Sequence, residues 1–281
     1  MALDTTSKSG SGQLLSRLIP LSFLTTHRVA FRQFLVRAIS RRYRLSAFGA
    51  LWMIVVPLVT LGIYTFVFGV VMESRWNSEQ SGTSVFSIYL FSGLIVFWVM
   101  AEVVGQSPTA IAEHTNLVKR AVFPLEILPA VVVGSAVFHA LVNALVLMAA
   151  LLALQGTIPL SALWLPVVLA PFVLMLLGFA WILAAIGVYF RDIVHVVGLF
   201  LTGALFISPV FYDTSRLNPI IQSVIILNPI TFIVVQTRKV ILEGQAPDWI
   251  GLGLYLLVAW AVASIGLAFF RRARANFADV L

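Results

Sequence analysis

Residues 127–190 contain no Asp, Glu, Lys or Arg, and they read ILPAVVVGSAVFHALVNALVLMAALLALQGTIPLSALWLPVVLAPFVLMLLGFAWILAAIGVYF. These 64 residues far exceed the roughly 20 apolar residues that a helix needs to cross a bilayer once. A turn-like break, Gln155-Gly156-Thr157-Ile158-Pro159, lies near the middle. The stretch therefore predicts two membrane-spanning helices joined by a very short loop, which makes the chain an integral membrane protein.

The composition of the whole chain agrees with a helical membrane protein. Of the 281 residues, 60% are hydrophobic and 10% are charged, whereas soluble domains carry about 25% charged residues. The long continuous apolar segments favour α-helices over the short alternating strands of a membrane barrel. The sequence therefore predicts an all-α polytopic membrane protein.

Several kinds of catalytic and binding site are absent from the sequence. The chain has no cysteine, which excludes disulfides, thiolate catalysis and cysteine metal sites. The four histidines are far apart in sequence, and we expect no metal site. No Gly-x-x-x-x-Gly-Lys-[Ser/Thr] loop occurs, so the chain cannot itself bind ATP in the P-loop manner.

Six apolar segments are predicted to span the membrane. They are 47–71, 85–105, 126–154, 163–189, 193–212 and 250–270. A further uncharged segment, 217–237, contains Asn218-Pro219 and Asn228-Pro229, which break helices. We therefore expect residues 215–245 to form two short re-entrant helices that dip into the outer leaflet. An ordinary external loop packed on the bundle is the alternative.

The distribution of basic residues orients the chain. With six spans, 14 of the 18 Lys and Arg residues lie on the side of the two termini and four on the other side. The positive-inside rule then places both termini in the cytoplasm. The predicted domain plan is a disordered tail at 1–21, an amphipathic interface helix at 22–46, the six-span domain at 47–270 and a cytoplasmic tail at 271–281.

The interface helix has a polar and an apolar side. Arg37, Arg41 and Arg44 share one face with Gln33 and Ser40, and the opposite face carries Phe31, Leu35, Val36 and Ile39. Such a helix lies in the membrane plane at the inner surface. It serves either as a plain positive-inside anchor or as a site where arginines, including Arg42, bind an anionic lipid head group.

The connection between the second and third spans, residues 107–122, is predicted to form a cytoplasmic helix of about 14 residues. Ser107 is a suitable N-cap, Pro108 a suitable first helical residue, and Pro124 ends the helix. Glu113 lies early in the helix and Lys119 late, which suits the helix dipole. The helix either rests at the interface or offers a surface to a partner.

Few ionisable residues lie inside the predicted spans. Glu102 and His139 lie clearly inside them, and Glu126 lies at an edge. Glu102 is about one turn from the cytoplasmic end, where it is either solvated, paired or functional. The chain thus has the form of a membrane subunit without its own energy source.

An ordered set of motifs resembles the permease subunits of type-2 ABC exporters for polysaccharides, which transport O-antigen, capsule or teichoic acid. The similar residues extend from about residue 20 to the C-terminus. They are RYRLSAFGALW at 42–52 with Pro57, YTFVFG at 64–69, NLVKRAVFP at 116–124, LEILP at 125–129, YFRDI at 189–193, SPVFY at 208–212 and Asn228-Pro229.

The resemblance implies a homodimer that binds two copies of a separate ATPase, which holds ATP and magnesium, while this chain is not an enzyme. The substrate would be an undecaprenyl-diphosphate-linked polysaccharide crossing the bacterial inner membrane, with no nucleic acid involved. The 107–122 helix would be the coupling helix. The implied ATPase contacts are Glu113, His114, Asn116, Leu117, Lys119 and Arg120, and the implied lipid-diphosphate contacts are Arg37, Arg41, Arg42 and Arg44.

The resemblance also implies a channel between two subunits, lined by the first and fifth spans. Aromatic rings there would stack on the C–H faces of sugars. The candidates are Trp52, Tyr64, Phe68, Phe206, Phe211 and Tyr212. Aromatic residues of membrane helices also face lipid or concentrate at the interfaces, and that alternative stays open.

Two other functions remain as alternatives at this stage. An ion-coupled secondary transporter would need intramembrane charges and usually an internal repeat, and neither is evident. A membrane-embedded polyprenyl-phosphate glycosyltransferase would need carboxylates or histidines on membrane-edge loops, and these loops are poor in acids.

Overall fold

The structure is a computed structural model that describes residues 26–43, 48–67, 83–118, 123–212, 218–226 and 228–281. Helices dominate these residues and no strand occurs among them, which confirms the predicted all-α class. The main helices are α1 (Arg28–Tyr43), α2 (Trp52–Tyr64), α3 (Thr83–Gln106), α4 (Ile127–Gln155), α5 (Leu165–Tyr189), α6 (Ile193–Ile207), α7 (Pro219–Ile226), α8 (Pro229–Ile241) and α9 (Trp249–Arg274).

Five helical stretches of the described chain are long and apolar enough to cross a bilayer. They are Gly49–Val67, Phe86–Thr109, Ile127–Gln155, Leu160–Tyr189 and Trp249–Arg274. Their positions correspond to five of the six predicted spans, so the chain is a multi-pass membrane protein.

The remaining predicted span, 193–212, is helical only over the 15 residues of α6. A helix of that length rises about 22 Å, which is less than the roughly 30 Å of a bilayer core. Ser208 has extended backbone angles (φ −75°, ψ 142°), as residues before a proline usually do. Because Pro209 ends α6 early, the sixth crossing stays a prediction.

The predicted break between α4 and α5 is confirmed. Gly156 ends α4 in the left-handed region with φ +75°, and its N–H donates to the Leu152 carbonyl at 3.0 Å. Glycine adopts this conformation without the steric cost that a Cβ would bring. The chain then turns at Pro159 and enters α5 after a short 3₁₀ stretch.

Helix α5 lies in the centre of the bundle, where Phe172 and Trp181 are fully buried. It crosses α9 at two glycines. A Cβ on Gly178 would lie 2.7 Å from the carbonyl carbon of Val262, and a Cβ on Gly266 would meet the carbonyl oxygen of Gly178. Small residues of this kind let helix backbones approach closely in membranes, where dispersion forces drive association.

Helix α8 returns towards the end of the bundle that carries the α4–α5 turn. Its first residue, Pro229, accepts a hydrogen bond from the Tyr255 hydroxyl at 2.9 Å, and Tyr255 lies about 9 Å along α9. Near its other end, the Val240 carbonyl accepts from Ser161 Oγ at 2.6 Å. Helix α8 therefore begins inside the bundle and ends near the point where α9 starts.

Candidate functional site

A cavity of about 760 Å³ lies at one end of the bundle, between α1, the end of α3, the start of α4 and the segment that joins α3 to α4. Arg37 and Arg41 line it from α1, and Glu113, His114 and Leu117 line it from the connecting segment. We call it the interface cavity. Two of the arginines predicted to bind a lipid diphosphate thus share a cavity with residues predicted to contact the ATPase.

Helix α1 rests on α4 through a narrow apolar stripe. Phe31 and Leu35 lie against Gly134, where an added Cβ would be 3.1 Å from each side chain. Phe34 packs on Phe123, with ring centroids 5.3 Å apart. Val36, which was also predicted on the apolar face, is not covered by the described protein residues. The part of the apolar face that packs on α4 is therefore narrow, and contact of Val36 with the membrane stays a prediction.

The connecting segment does not form the predicted single α-helix over the residues that the structure describes. Two 3₁₀ turns, Ser107–Thr109 and Ala112–His114, precede one α-helical turn, Thr115–Val118. Ser107 is not an N-cap, because its Oγ donates back to the Val103 carbonyl at 2.5 Å. Packing against α5, rather than intrinsic helix propensity, determines this conformation.

Pro108 is the contact point between the connecting segment and α5. A Cβ on Gly187 would meet the carbonyl oxygen of Pro108, so only glycine allows this approach. Both Ser107 and Pro108 are buried, whereas Glu113 and Asn116 are exposed. The segment is therefore fixed to the bundle at its start and presents side chains to solvent further along.

Arg41 and Glu113 link α1 to the connecting segment. Arg41 Nη1 lies 3.6 Å from Glu113 Oε2, and both side chains are largely exposed. Thr109 Oγ1 also donates to Glu113 Oε1 at 3.1 Å. Exposed pairs contribute little to stability, so Arg41 can exchange this carboxylate for another anion at small cost.

The end of the connecting segment is tied to the last turn of α9. Arg274 donates to Glu126 Oε2 at 3.0 Å and to the Phe123 carbonyl at 3.1 Å. Arg271 lies 3.6 Å from the same carboxylate, and buried Trp181 donates to the Glu126 carbonyl. Glu126 is buried, so these arginines hold a buried carboxylate in place. They also position the polypeptide that leads into α4.

A second cavity, of about 720 Å³, opens between α2, α3 and α4. We call it the α2 groove. Glu102, Gln106 and His139 line both this groove and the interface cavity. His139 Nδ1 lies 2.9 Å from both carboxylate oxygens of Glu102, so the interpretation of Glu102 as a paired residue is confirmed.

Three of the predicted channel-lining aromatics lie together. The ring of Phe211 is 6.3 Å from the ring of Tyr64 and 6.2 Å from the ring of Phe206. Tyr212 donates from its hydroxyl to the Ile207 carbonyl at 2.6 Å. Trp52 lies apart from them and lines the α2 groove.

Arg238 of α8 fixes the backbone that follows α6. It donates to the carbonyls of Pro209 and Val210 at 2.7 and 2.8 Å and to the Tyr89 hydroxyl at 2.8 Å. Its guanidinium also stacks on the Tyr89 ring, 3.5 Å from the ring centre. Cation–π and hydrogen-bond contacts together accommodate this buried charge.

Several residues of the predictions lie outside the residues that the structure describes. They are Arg44, Phe68, Lys119 and Arg120, the predicted tail at 1–21, the start of the predicted interface helix at 22–25, and the first residues of the predicted re-entrant segment at 215–217. The backbone of Arg42 belongs to α1, and its side chain lies outside the description. Within the described residues no group of three or more His, Cys, Asp or Glu could hold a metal ion.

Residues 29–242 match the family described as ABC-2 type transporter. The chain belongs to the ABC-2 type transporter family. The matched range includes α1 apart from Arg28, helices α2 to α8, both cavities and the connecting segment. Membership of this family implies a separate ATP-binding ABC subunit as partner. The match therefore favours an ABC transporter permease over an ion-coupled transporter or a glycosyltransferase.

Three relatives share most of their length with this ABC-2 transporter. An O-antigen export system permease protein RfbA from Myxococcus xanthus is 31% identical over 254 residues, covering 86% of this chain and 92% of the relative. A protein with the same description from Klebsiella pneumoniae is 24% identical over 85% and 90% of the two chains. The polysialic acid transport protein KpsM from Escherichia coli is 23% identical over 87% and 93%.

Sequence reasoning missed several residues that organise this ABC-2 transporter. Glu126 was noted only as an acid at the edge of a span, and the arginines near the C-terminus only as topology signals. An isolated acid beside an apolar run and an arginine-rich helix end together could have indicated the pair. Gly187 and Arg238 gave no such signal, because their partners are distant in sequence.

Proposed function

We propose that this ABC-2 transporter is the permease of a polysaccharide exporter of the O-antigen or capsule type. The basis is the extent of the match, since relatives described as O-antigen export permeases and as a polysialic acid transport protein align over more than 80% of this chain. The structural observation that supports it is the interface cavity, which brings two arginines next to the exposed part of the connecting segment.

The energy source in this proposal is a separate ATPase that holds ATP and magnesium. It docks on the connecting segment through Glu113, Asn116 and Leu117, together with His114, Lys119 and Arg120. The fixed start of the segment at Pro108 and Gly187 supports this role, because a docking element must transmit movement to the helices behind it. The ion pair between Glu126 and Arg274 supplies a second fixed point.

The substrate in this proposal carries an undecaprenyl diphosphate, and Arg37 and Arg41 bind the diphosphate in the interface cavity, with Arg42 and Arg44 nearby in sequence. Arginine binds phosphate oxygens through two parallel hydrogen bonds. The exposed pair with Glu113 keeps Arg41 available, since little free energy is lost when its partner changes.

The permease would lie in the bacterial inner membrane with both termini in the cytoplasm, six crossings, and α7 and α8 as a re-entrant pair. The return of α8 to the start of α9 supports the re-entrant arrangement. The chain has no cysteine, so single cysteines can test it. A cysteine at Gly244 should react with an impermeant thiol reagent from outside, and one at Ala275 should not. The reverse pattern would contradict the topology.

The functional unit would be a homodimer with two ATPase copies, and α2 and α6 would line the channel between the permeases. Both helices leave much of their apolar surface uncovered within one chain, for example at Ile54 and Val59 of α2 and at Leu199 and Phe206 of α6. Light scattering of the purified complex should give two permease copies per particle. One copy per particle would contradict the homodimer.

The proposed function can be tested in cells that lack their own exporter and accumulate the lipid-linked glycan. Expression of this permease with its ATPase should place the glycan on the cell surface. Replacement of the P-loop lysine of the ATPase should abolish surface glycan while leaving permease insertion intact. Surface glycan that persists with the inactive ATPase would refute an ATP-driven exporter.

A further inference from the structure

The α2 groove combines the side chains that recognise sugars in a single cavity. Trp52 and Trp98 provide two aromatic faces, and Gln106 and Asn143 provide two amides. Together with the Glu102–His139 pair, these residues form a set of hydrogen-bond donors and acceptors beside flat apolar rings. We propose that the α2 groove is a binding subsite for the carbohydrate part of the substrate. This inference rests on the proposed function.

Two of the polar residues, Glu102 and His139, hold each other in place. Glu102 and His139 are joined at 2.9 Å, and their side chains are 15% and 14% exposed. Gln106 Nε2 approaches Glu102 Oε1 at 3.5 Å. A carboxylate has about four acceptor positions, so Glu102 can accept from sugar hydroxyls while it stays paired with His139. A pair held this way presents a preorganised acceptor rather than a mobile charge.

The aromatic residues are placed at the wall of the groove. Trp98 is held edge-on against Phe91, with ring centroids 5.7 Å apart. Trp52 is 40% exposed and lines the groove from α2. The C–H face of a pyranose stacks on such a ring, which tolerates sliding along the sugar chain because no hydrogen-bond register is fixed.

The backbone of α2 adds a further acceptor. Pro57 has no N–H, so the Met53 carbonyl loses its helical partner. Met53 and Pro57 both line the groove. A backbone carbonyl without a donor is costly in a lipid environment, whereas a hydroxyl-rich ligand in the groove supplies the donor.

The groove also adjoins the interface cavity. Glu102, Gln106 and His139 line both spaces. Volumes of about 760 and 720 Å³ lie within the range of about 300–1,000 Å³ that is usual for small-molecule sites. A substrate whose diphosphate contacts Arg37 and Arg41 can therefore place its first sugars against the Glu102–His139 pair.

Photocrosslinking tests the location directly. The complete permease–ATPase complex, in lipid vesicles, is mixed with the lipid-linked glycan extracted from the native strain, and p-benzoylphenylalanine replaces Met53 or Leu257. Met53 lines the groove, whereas Leu257 is an exposed residue of α9, which lines neither the groove nor the proposed channel. The Met53 position should give a glycan-stained adduct and Leu257 should not. Equal adducts from both positions would overturn the subsite.

A matched pair of variants on α4 tests how much the groove contributes to glycan binding. Asn143→Ala removes a groove amide, and Leu145→Ala changes an exposed apolar residue on the same helix. Asn143→Ala should raise the half-saturating glycan concentration for ATPase stimulation by about tenfold, equivalent to about 1.4 kcal/mol. Leu145→Ala should leave it unchanged, and an equal value for both variants would overturn the subsite.

A purely structural role for the groove residues predicts a different result. Asn143→Ala would then reduce the recovery of the complex or its melting temperature, with the half-saturating concentration unaltered, and this would overturn the subsite. If the wild-type complex shows no glycan stimulation at all, the proposed function fails, and the subsite fails with it. The two failures are therefore distinguishable.

Discussion

Gly187→Ala should uncouple the permease from its ATPase without preventing membrane insertion. The added Cβ would meet the Pro108 carbonyl oxygen and would lie 2.7 Å from its carbonyl carbon. Real Cβ atoms essentially never approach another heavy atom within 3.0 Å. Because the obstacle is backbone, a rotamer change cannot relieve the overlap, and the connecting segment must move away from α5.

The size of the effect follows from the cost of overpacking. Adding a methyl group to a close contact costs about 1–3 kcal/mol. If the ATPase docks only on the segment in its original position, docking must supply this free energy. The affinity between permease and ATPase should then fall by about 5- to 150-fold, which is the range that 1–3 kcal/mol represents.

The assay is titration of purified ATPase onto the permease in lipid vesicles, with Gly253→Ala of α9 as the control. Gly253 has open space where its Cβ would be, so the control should bind like the wild type. The amount of inserted permease should be equal for all three proteins. Wild-type ATPase affinity for Gly187→Ala, together with normal export, would refute a coupling role for the contact with Pro108.

Three further predictions concern other contacts. Arg238→Met removes three hydrogen bonds, two to the backbone and one to Tyr89. It should lower the melting temperature of the protein, because each hydrogen bond to a charged group contributes about 1.5–3 kcal/mol. An unchanged melting temperature would contradict this. Gly266→Ala should destabilise the protein by about 1–3 kcal/mol in thermal unfolding, because its Cβ would meet the backbone of α5. Gly253→Ala on the same helix is the control and should be neutral, because a Cβ at Gly253 lies in open space. Arg41→Ala should raise the concentration of lipid-linked glycan that half-saturates ATPase stimulation, because it removes a contact to the diphosphate. Glu113→Gln should lower that concentration, because Glu113 competes with the diphosphate for Arg41. Shifts of both variants in the same direction would indicate that the pair has only a structural role.

The long spans could be predicted from the sequence because bilayer thickness imposes a length that few other constraints mimic. The break at Gly156 was equally evident, since a glycine and a proline follow each other closely between two apolar runs. The length of helix α6 was overestimated, because hydropathy alone does not show where a proline ends a helix. Hydropathy continues through Ser208 and Pro209, whereas the helix ends there because Pro209 lacks an amide hydrogen.

The connecting segment was predicted as one helix because Ser107, Pro108 and Glu113 fit the local rules for a helix start. Those rules do not include Gly187, which is distant in sequence and brings α5 against Pro108. Tertiary contact overrides local propensity at this point, and the result is a series of short turns. A helix was expected within 22–46, and α1 spans Arg28–Tyr43 there, but which of its residues are buried depends on α4.

The polar pairs could not be derived from the sequence for a related reason. Glu102 and His139 are 37 residues apart, and Arg274 is 148 residues from Glu126. Each residue alone indicates that an ionisable group near the membrane needs a partner. Which partner it has depends on how the helices pack, and that packing is determined by close contacts such as Gly178 with Gly266.

The most direct test of the account is ATP-driven transport by purified components. Permease and ATPase are reconstituted into vesicles with the lipid-linked glycan from the native strain, and only outward-facing ATPase is supplied with ATP. Glycan should move into the vesicle lumen and become protected from an external glycosidase, at a rate that requires ATP hydrolysis. Protection that is independent of ATP, or ATP hydrolysis without any protected glycan, would contradict the assignment of this chain as the permease of a polysaccharide exporter.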